Sequence, residues 1–389
     1  MSELDALYAF LVAGAVSALL TPLAAALAVR LGAVDQPRAR GLSDRPTPRL
    51  GGLAILAAAL LSGLLFLPLD GETRGILGGA ALIAAVMAVD DVVELAPGWK
   101  LLGQVAAAVV VVLGGVRVDN VTIPFLGPLD LHGIGGPLTV VGLVALMNVV
   151  NLSDGVDGLA AGVCGISAVA FAIIAFDLQR NAAGILAALT AGAAFGFLWH
   201  NFPPASVFMG DTGANLLGLL LGAAAVQGTL KTNAVIALIV PLVILAVPIL
   251  DTGFVVAKRL KYGRKVYEAD ANHFHHRFAR IGFSARRTVA YLYAWAAALA
   301  GLAVALRFVP YSDHHGRFHL GWSLVMGALG LAALAVSVYV VVTLEILKFR
   351  RLRAWQLRRL DPDTSEHEID VEVRREIETG EWERIAPGG

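Results

Sequence analysis

The chain has 389 residues, 57% of them hydrophobic and 15% charged, with a formal net charge of zero, and a mean hydropathy of +0.73. Soluble domains carry about a quarter charged residues, so this composition excludes an ordinary soluble protein and describes a polytopic membrane protein. Zero net charge selects neither nucleic acid nor an acidic partner, and a single cysteine, Cys164, excludes an internal disulfide and a Cys-based zinc site.

A helix needs about 20 apolar residues to cross the hydrocarbon core. In chain order the apolar runs 6–30, 50–68, 75–90, 101–117, 137–152, 159–177, 183–200, 213–229, 233–256, 288–308 and 320–347 predict an all-α polytopic bundle. That makes about eleven transmembrane helices, with ten as the alternative count. The first run follows acidic Glu3 and Asp5 and lacks a basic n-region, so it reads as a retained span. The stretch "VRVDNVTIPFLGPLDLHGIGG" alternates apolar and polar residues around Pro and Gly and predicts a small hairpin on the outer face. Residues 1–347 form the transmembrane domain, and 348–389 a cytoplasmic tail that is first basic, then acidic. The basic part, Lys348 to Arg359, suits the anionic inner leaflet. The acidic part, from Asp361 on, reads as a solvated helix or a disordered tail.

Lys/Arg bias sets the orientation. Arg38, Arg40, Arg45 and Arg49 lie in the first loop, and Lys258 to Arg287 supply many more between the ninth and tenth spans. The alternate connections, "LDGETRG", "DLQRNA" and "QGTLKTN", are short and poor in charge. The N-terminus therefore faces out and the C-terminus faces the cytoplasm, in a plasma (inner) membrane.

Four polar clusters interrupt the apolar pattern, and all fall on the cytoplasmic side of this topology. "VDDVVEL" places Asp90, Asp91 and Glu94 at the end of the third span. Anions are disfavoured at a helix C-terminus and adjacent carboxylates repel, a conflict a divalent cation resolves; a solvated helix end is the plainer alternative. "NVVNLSDGVDGLAAG" carries Asn148, Asn151, Asp154 and Asp157. Spacing of three drifts about 60° per step around a helix, so Asn148 and Asn151 belong to the inner face and the two acids to the turn that follows. Capping accounts for one of the four, and polar groups at a membrane helix end mark a pathway or a site. "NFPPASVFMGDTG" sets Asp211 between two glycines, with Phe208 three residues earlier; a Gly-rich Asx turn and simple packing are the alternatives. "DANHFHHRF" holds His273, His275, His276 and Arg277. Histidines at that spacing converge poorly on one ion, and a basic loop that receives a diphosphate fits them better, with a merely solvated charged loop as the alternative. Acids for a divalent cation and a basic loop for phosphates together indicate phosphoryl chemistry on a substrate that joins water to lipid.

"PRLGGLAI" (48–55), "DDVVEL…WKLLGQ" (90–104), "NVVNLSDGVDGLAAG", "NFPPASVFMGDTG", "VPILDTGFVVAKRL" (247–260) and "DANHFHHRF" follow in one order over roughly residues 6 to 310. This set resembles the polyprenyl-phosphate N-acetylhexosamine-1-phosphate transferases. "HFHHR" looks like the branch that uses UDP-N-acetylglucosamine for surface glycans. The peptidoglycan branch, phospho-MurNAc-pentapeptide transferase, usually has three consecutive histidines and is the runner-up, with another UDP-HexNAc donor as a further alternative. The resemblance implies transfer of N-acetylglucosamine 1-phosphate from UDP-GlcNAc to undecaprenyl phosphate, with release of UMP and with Mg²⁺ (Mn²⁺ as an alternative). It implies Asp211 as the principal metal ligand, with Asp91 and Asn151 beside it, and Asp90 as the group that deprotonates or orients the lipid phosphate. Asn151, Asp154 and Asp157 would line the nucleotide site and Phe208 would stack on uracil. Lys100 and the His273/His275/His276/Arg277 loop would hold the diphosphate and sugar; Asp251 matches a family acid without an assigned role. The implied partners are the UDP-sugar, the polyprenyl phosphate, the membrane and a second copy in a homodimer, with no nucleic acid. Gly41, Ser43 and Ser206 stand where the family often has basic residues or histidine. A secondary transporter is the reading from another class, but its acids belong mid-span, and these lie at span ends.

Overall fold

Backbone N–H and C=O groups in hydrocarbon find partners only within the chain, so long Ala/Leu/Val runs fold as helices. A computed structural model describes residues 1–36, 46–123, 127–131, 133–230, 245, 246, 249, 284–309, 319–361 and 364–379. Helix α1 (Glu3–Leu31) starts at a capping box between Ser2 and Asp5. α2 spans Gly52–Phe66, and α3 spans Gly71–Val93 with the Asp70 carboxylate accepting from the Thr73 N–H. α4 (Pro97–Leu113) opens on a proline, which suits a first turn. α5 (Gly135–Ser153), α6 (Leu159–Asp177), α7 (Asn181–Asn201) and α8 (Gly210–Ala225) follow, and α8 runs on into a π-turn at Val226–Leu230. Beyond them lie α9 (Ala285–Phe308), α10 (Leu320–Leu360) and α11 (Glu366–Thr379).

The chain is an all-α, multi-pass membrane protein. Among the described residues, α1, α3, α5, α6, α7, α9 and the Leu320–Ser337 part of α10 are long and apolar enough to cross a membrane. α2 and α4 have 15 and 17 residues, about 22 and 26 Å at 1.5 Å per residue, less than the hydrocarbon thickness of about 30 Å. The segment expected to span at 233–256 lies outside the described residues, apart from 245, 246 and 249. The expected hairpin is present: β3 (Asn120–Ile123) pairs antiparallel with β4 (Gly127–Asp130). A second two-residue ladder joins β1 (Val34–Asp35) to β2 (Thr47–Pro48) across the first loop. α10 continues unbroken through the basic run to Leu360, because Arg, Lys, Leu and Gln are all good helix formers.

α6, α7 and α8 form the centre of the bundle, where nearly every residue from Thr212 to Ala225 and from Ala183 to Ala194 is buried. Lipid gives helices no hydrophobic reason to associate, so close contact through small residues holds them. A Cβ at Gly192 would stand 2.8 Å from the Phe10 carbonyl carbon, and one at Gly196 2.9 Å from Gly14 Cα; α1 and α7 therefore touch backbone to backbone. Leu19, Leu23 and Leu27 on the opposite side of α1 are exposed, as a lipid-facing surface requires. The ends of α3, α5 and α7 and the starts of α2, α4, α6 and α8 meet at one end of the bundle, and the unusual polar residues are concentrated there.

Candidate active site

The first N–H groups of a helix lack partners within it, and an anion there is favoured twice over, by hydrogen bonding and by the helix dipole. For α8 the anion comes from another helix. Asp91 Oδ1 accepts from the Asp211 N–H at 2.9 Å, while Oδ2 accepts from the Thr212 N–H at 3.1 Å and the Thr212 hydroxyl at 2.6 Å. Gly210 reaches this geometry with φ +68°, and a Cβ there would run into the Arg49 carbonyl oxygen and the Asp91 carboxylate. The end of α3 is thereby locked to the start of α8, with Asp211 in the first turn.

Beside this lock stands a cation. Lys100 Nζ, from the first turn of α4, lies 2.6 Å from Asp90 Oδ2 and 2.9 Å from Asp211 Oδ2. Asp90 Oδ1 accepts from the Leu95 N–H at 2.7 Å. Asp90 and Asp91 are each only 4% exposed, whereas Asp211 is partly open. The carboxylate oxygens of Asp90, Asp91 and Asp211 approach within 4.8 Å of one another, so the cluster can coordinate a divalent metal. Mg²⁺ is commonly held by one or two carboxylates plus substrate phosphates, and the face that Asp90 and Asp211 already present to an ammonium fits that demand. The conflict expected at the end of α3 is eased further by Arg49, whose Nε donates to the Asp91 carbonyl at 2.8 Å and whose guanidinium lies 3.4 Å from Glu94.

The "PRLGG" and "FMGDTG" segments run against each other. The Phe208 N–H donates to the Pro48 carbonyl at 2.8 Å, the Gly51 N–H to the Phe208 carbonyl at 3.0 Å and the Gly52 N–H to the Met209 carbonyl at 2.9 Å. On its other side the loop is held by Asp157, which accepts from the Ala205 N–H at 2.8 Å. Asn201 bridges the Gly158 N–H and the Val207 carbonyl, each at 2.9 Å. Arg286 Nε donates to the Pro203 carbonyl at 2.8 Å. Phe208, half-buried, is thus placed by a backbone pinned on two sides.

Against this geometry stand the comparisons with known proteins. A family model described as glycosyl transferase family 4 matches residues 73–229. The probable undecaprenyl-phosphate N-acetylglucosaminyl 1-phosphate transferase of Bacillus subtilis is 35% identical over 288 residues, 73% of this chain and 80% of the relative. The chain belongs to glycosyltransferase family 4. The decaprenyl-phosphate N-acetylglucosaminephosphotransferase of Mycolicibacterium smegmatis is 36% identical over 82% of each chain. A phospho-N-acetylmuramoyl-pentapeptide-transferase of Desulforudis audaxviator is 34% identical over 68% of this chain and 86% of its own.

In this family 4 chain, three of the four polar clusters converge. Asp90, Asp91, Lys100 and Asp211 form one hydrogen-bonded set; Phe208 belongs to the loop that leads into it, and Asp157, from the turn between α5 and α6, pins that loop at the Ala205 N–H. Asn151 lies in the last turn of α5, partly buried, and Asp154 is the C-terminal cap residue of that helix. His273, His275, His276, Arg277 and Asp251 lie outside the described residues.

A chain of amides that sequence reasoning recognised only at Asn148 runs beneath the cluster. Asn148 Nδ2 donates to Gln104 Oε1 at 2.9 Å, Gln104 Nε2 to Asn215 Oδ1 at 2.7 Å, and Asn215 Nδ2 to the Asp211 carbonyl at 2.8 Å. A buried amide needs such partners, and this row ties α5, α4 and α8 together. The signal for it was helical spacing: Gln104 follows Lys100 by four and Asn215 follows Asp211 by four, one turn on the same face. Thr212, Asn201 and Arg49 were also missed, because each serves groups that only the folded chain brings near: the Asp91 carboxylate for Thr212, backbone groups for Asn201 and Arg49.

Asp154 has an electrostatic signature of its own. Burial first, then the charges of Asp211, Asp157 and Asp91, push its carboxyl up to about 8; burial raises Asp157 as well, opposed by the Ala205 N–H. An unfolded Asp titrates near 3.9. Below that value Asp154 is protonated in both states. Between there and about 8 unfolding releases its proton, so wild-type stability falls as pH rises, by at most about 1.4 kcal/mol per unit. Asp154→Asn carries no such loss. In EDTA the variant is expected to melt above the wild type by a margin that widens between about pH 5 and pH 8, reaching about 5 °C. Parallel melting curves across that range would show that Asp154 is ionised in the metal-free protein.

Proposed function

We propose that this enzyme transfers N-acetylglucosamine 1-phosphate from UDP-GlcNAc to undecaprenyl phosphate, releasing UMP and starting a lipid-linked surface glycan. The observation that carries the reading is the Asp90–Lys100–Asp211 cluster at the mouth of an apolar bundle. There a lipid phosphate and a nucleotide diphosphate can meet without either leaving its own solvent. The relatives named for N-acetylglucosaminyl 1-phosphate transfer and the "HFHHR" pattern support this donor over the peptidoglycan precursor. The active site faces the cytoplasm, where UDP-sugars are made, with the N-terminus outside.

In this reading an oxygen of the lipid phosphate attacks the β-phosphorus of the donor. The bond from that phosphorus to the bridging oxygen breaks, and UMP leaves with the electron pair. Two phosphate substrates repel each other, so positioning and positive charge account for most of the rate. Asp90 orients the lipid phosphate or takes its proton. Asp211 would hold the metal against Asp90 Oδ2, with Asp91 fixing Asp211 through its N–H, and the ion when bound would neutralise charge on the diphosphate. Lys100 and the His273/His275/His276/Arg277 loop bind the phosphates and sugar. Asp154, Asp157 and Asn151 line the nucleotide side, and Phe208 offers its ring to the uracil.

The test is a purified-protein assay with Mg²⁺, undecaprenyl phosphate and a panel of UDP-sugars, following UMP. UMP is expected from UDP-GlcNAc and is expected to vanish with EDTA. Release only from UDP-MurNAc-pentapeptide would move the chain to the peptidoglycan branch, and no UMP from any donor would sink the enzyme reading.

A further inference from the structure

We propose that Lys100 is the resident counter-ion of the carboxylate cluster and that a divalent cation enters by displacing it. One event then loads the metal and frees an ammonium for the donor's phosphates. The inference rests on the function proposed above and adds an order of events to it.

The hydrogen-bond inventory of the cluster leads there. Both Asp91 oxygens are taken by the Asp211 N–H, the Thr212 N–H and the Thr212 hydroxyl, and Asp90 Oδ1 is taken by the Leu95 N–H. What the cluster offers a cation is Asp90 Oδ2 and the Asp211 carboxylate, and Lys100 Nζ sits between them at 2.6 and 2.9 Å. A hard divalent ion binds carboxylate oxygens at about 2.1 Å, so it would need the same space and the same lone pairs. Two cations cannot share that position, because their repulsion at such separation is large wherever water is scarce. Without the ammonium, Asp90 at 4% exposure would face Asp211 with no cation between them, so the site needs one or the other. Lys100 can leave. It stands in the first turn of α4, and its side chain is 31% exposed on a flexible stem. Once outside, it is a compact positive charge at the mouth of the site, suited to a phosphate. The donor therefore meets a full complement of positive charge only after the metal has entered.

Mn²⁺ binding to the full-length protein in detergent, followed by the spectroscopic signal of free Mn²⁺ with no substrate present, reads the competition directly. Lys100→Met is expected to bind Mn²⁺ at least about tenfold more tightly than wild type, while Lys100→Arg stays near the wild-type value. Adding Asp211→Asn to either background is expected to abolish the binding. Equal or weaker Mn²⁺ affinity in Lys100→Met would overturn the proposal, as would binding that survives loss of Asp211. Should Lys100→Met not hold its fold in EDTA, Lys100→Gln is compared with wild type by the rise in Tm on adding Mn²⁺. A larger rise in the variant supports displacement, and an equal or smaller one refutes it. UMP release by the wild type is measured alongside. An active enzyme with unchanged Mn²⁺ affinity sinks this inference alone, and an inactive one with the tenfold gain sinks the proposed reaction instead.

Discussion

Asp211→Asn is expected to lower UMP release by at least about a thousandfold while leaving the melting temperature close to that of wild type. The two halves of this expectation come from different atoms. The link between α3 and α8 uses the Asp211 backbone N–H, 2.9 Å from Asp91 Oδ1, and the Asn215 amide uses the Asp211 carbonyl. Both survive the substitution, and asparagine has the same shape as aspartate. What disappears is the negative charge that faces Lys100 at 2.9 Å and that the proposed metal requires. Catalysis by positioned charge suffers most when the charge that holds the cation is removed, since both Asp91 oxygens are committed to the start of α8 and Asp90 is left to face the cation alone. Turnover at the wild-type rate in a well-folded Asp211→Asn protein would refute Asp211 as the metal-holding residue.

Gly52→Ala is expected to cost both stability and turnover through a single added methyl group. Gly52 opens α2 and faces Gly213 in the first turn of α8. A Cβ there would overlap the Gly213 nitrogen and lie 2.6 Å from Gly213 Cα and 2.8 Å from the Met209 carbonyl oxygen. Those neighbours are backbone, so no rotamer change relieves the contact. α2 and α8 must part, and the Gly52 N–H to Met209 bond at 2.9 Å goes with them. Overpacking of this kind costs about 3 kcal/mol, and here it also shifts the turn that carries Asp211. We expect a fall in turnover of at least about a hundredfold, because small misplacements of positioned groups are felt that strongly. Ala54→Gly, on the same helix and buried, removes a methyl group rather than adding one and provides the control. A Gly52→Ala enzyme with normal turnover would show that the contact between these two segments does not govern the site.

The lipid-spanning character, the hairpin near residue 120 and the gathering of polar motifs at span ends were all legible in the linear chain. Hydropathy depends on composition within a window of about twenty residues, and the bilayer imposes that window. Asp90, Asp91 and Asp211 stood out for a related reason: carboxylates beside apolar runs are costly, so their presence demands an explanation. The family resemblance through "DDVVEL", "NLSDGVDG" and "FMGDTG" was likewise available without coordinates.

The division of labour among those acids was not. Asp90 and Asp91 are adjacent and chemically identical, yet one faces an ammonium and the other caps a helix that begins 119 positions later at Gly210. Asp157 pins the Ala205 N–H, a backbone partner that its own neighbourhood in sequence does not reveal. The "PRLGG" segment, conspicuous only as a motif, is a backbone platform for Phe208 and Met209. By itself the sequence determined the class of protein, its family, and the span ends where the polar motifs gather. Periodicity and transfer energy are local quantities, read from neighbours in the chain. Only the tertiary structure decided which carboxylate holds a cation and which holds a helix, because a hydrogen bond is satisfied by the nearest donor in space.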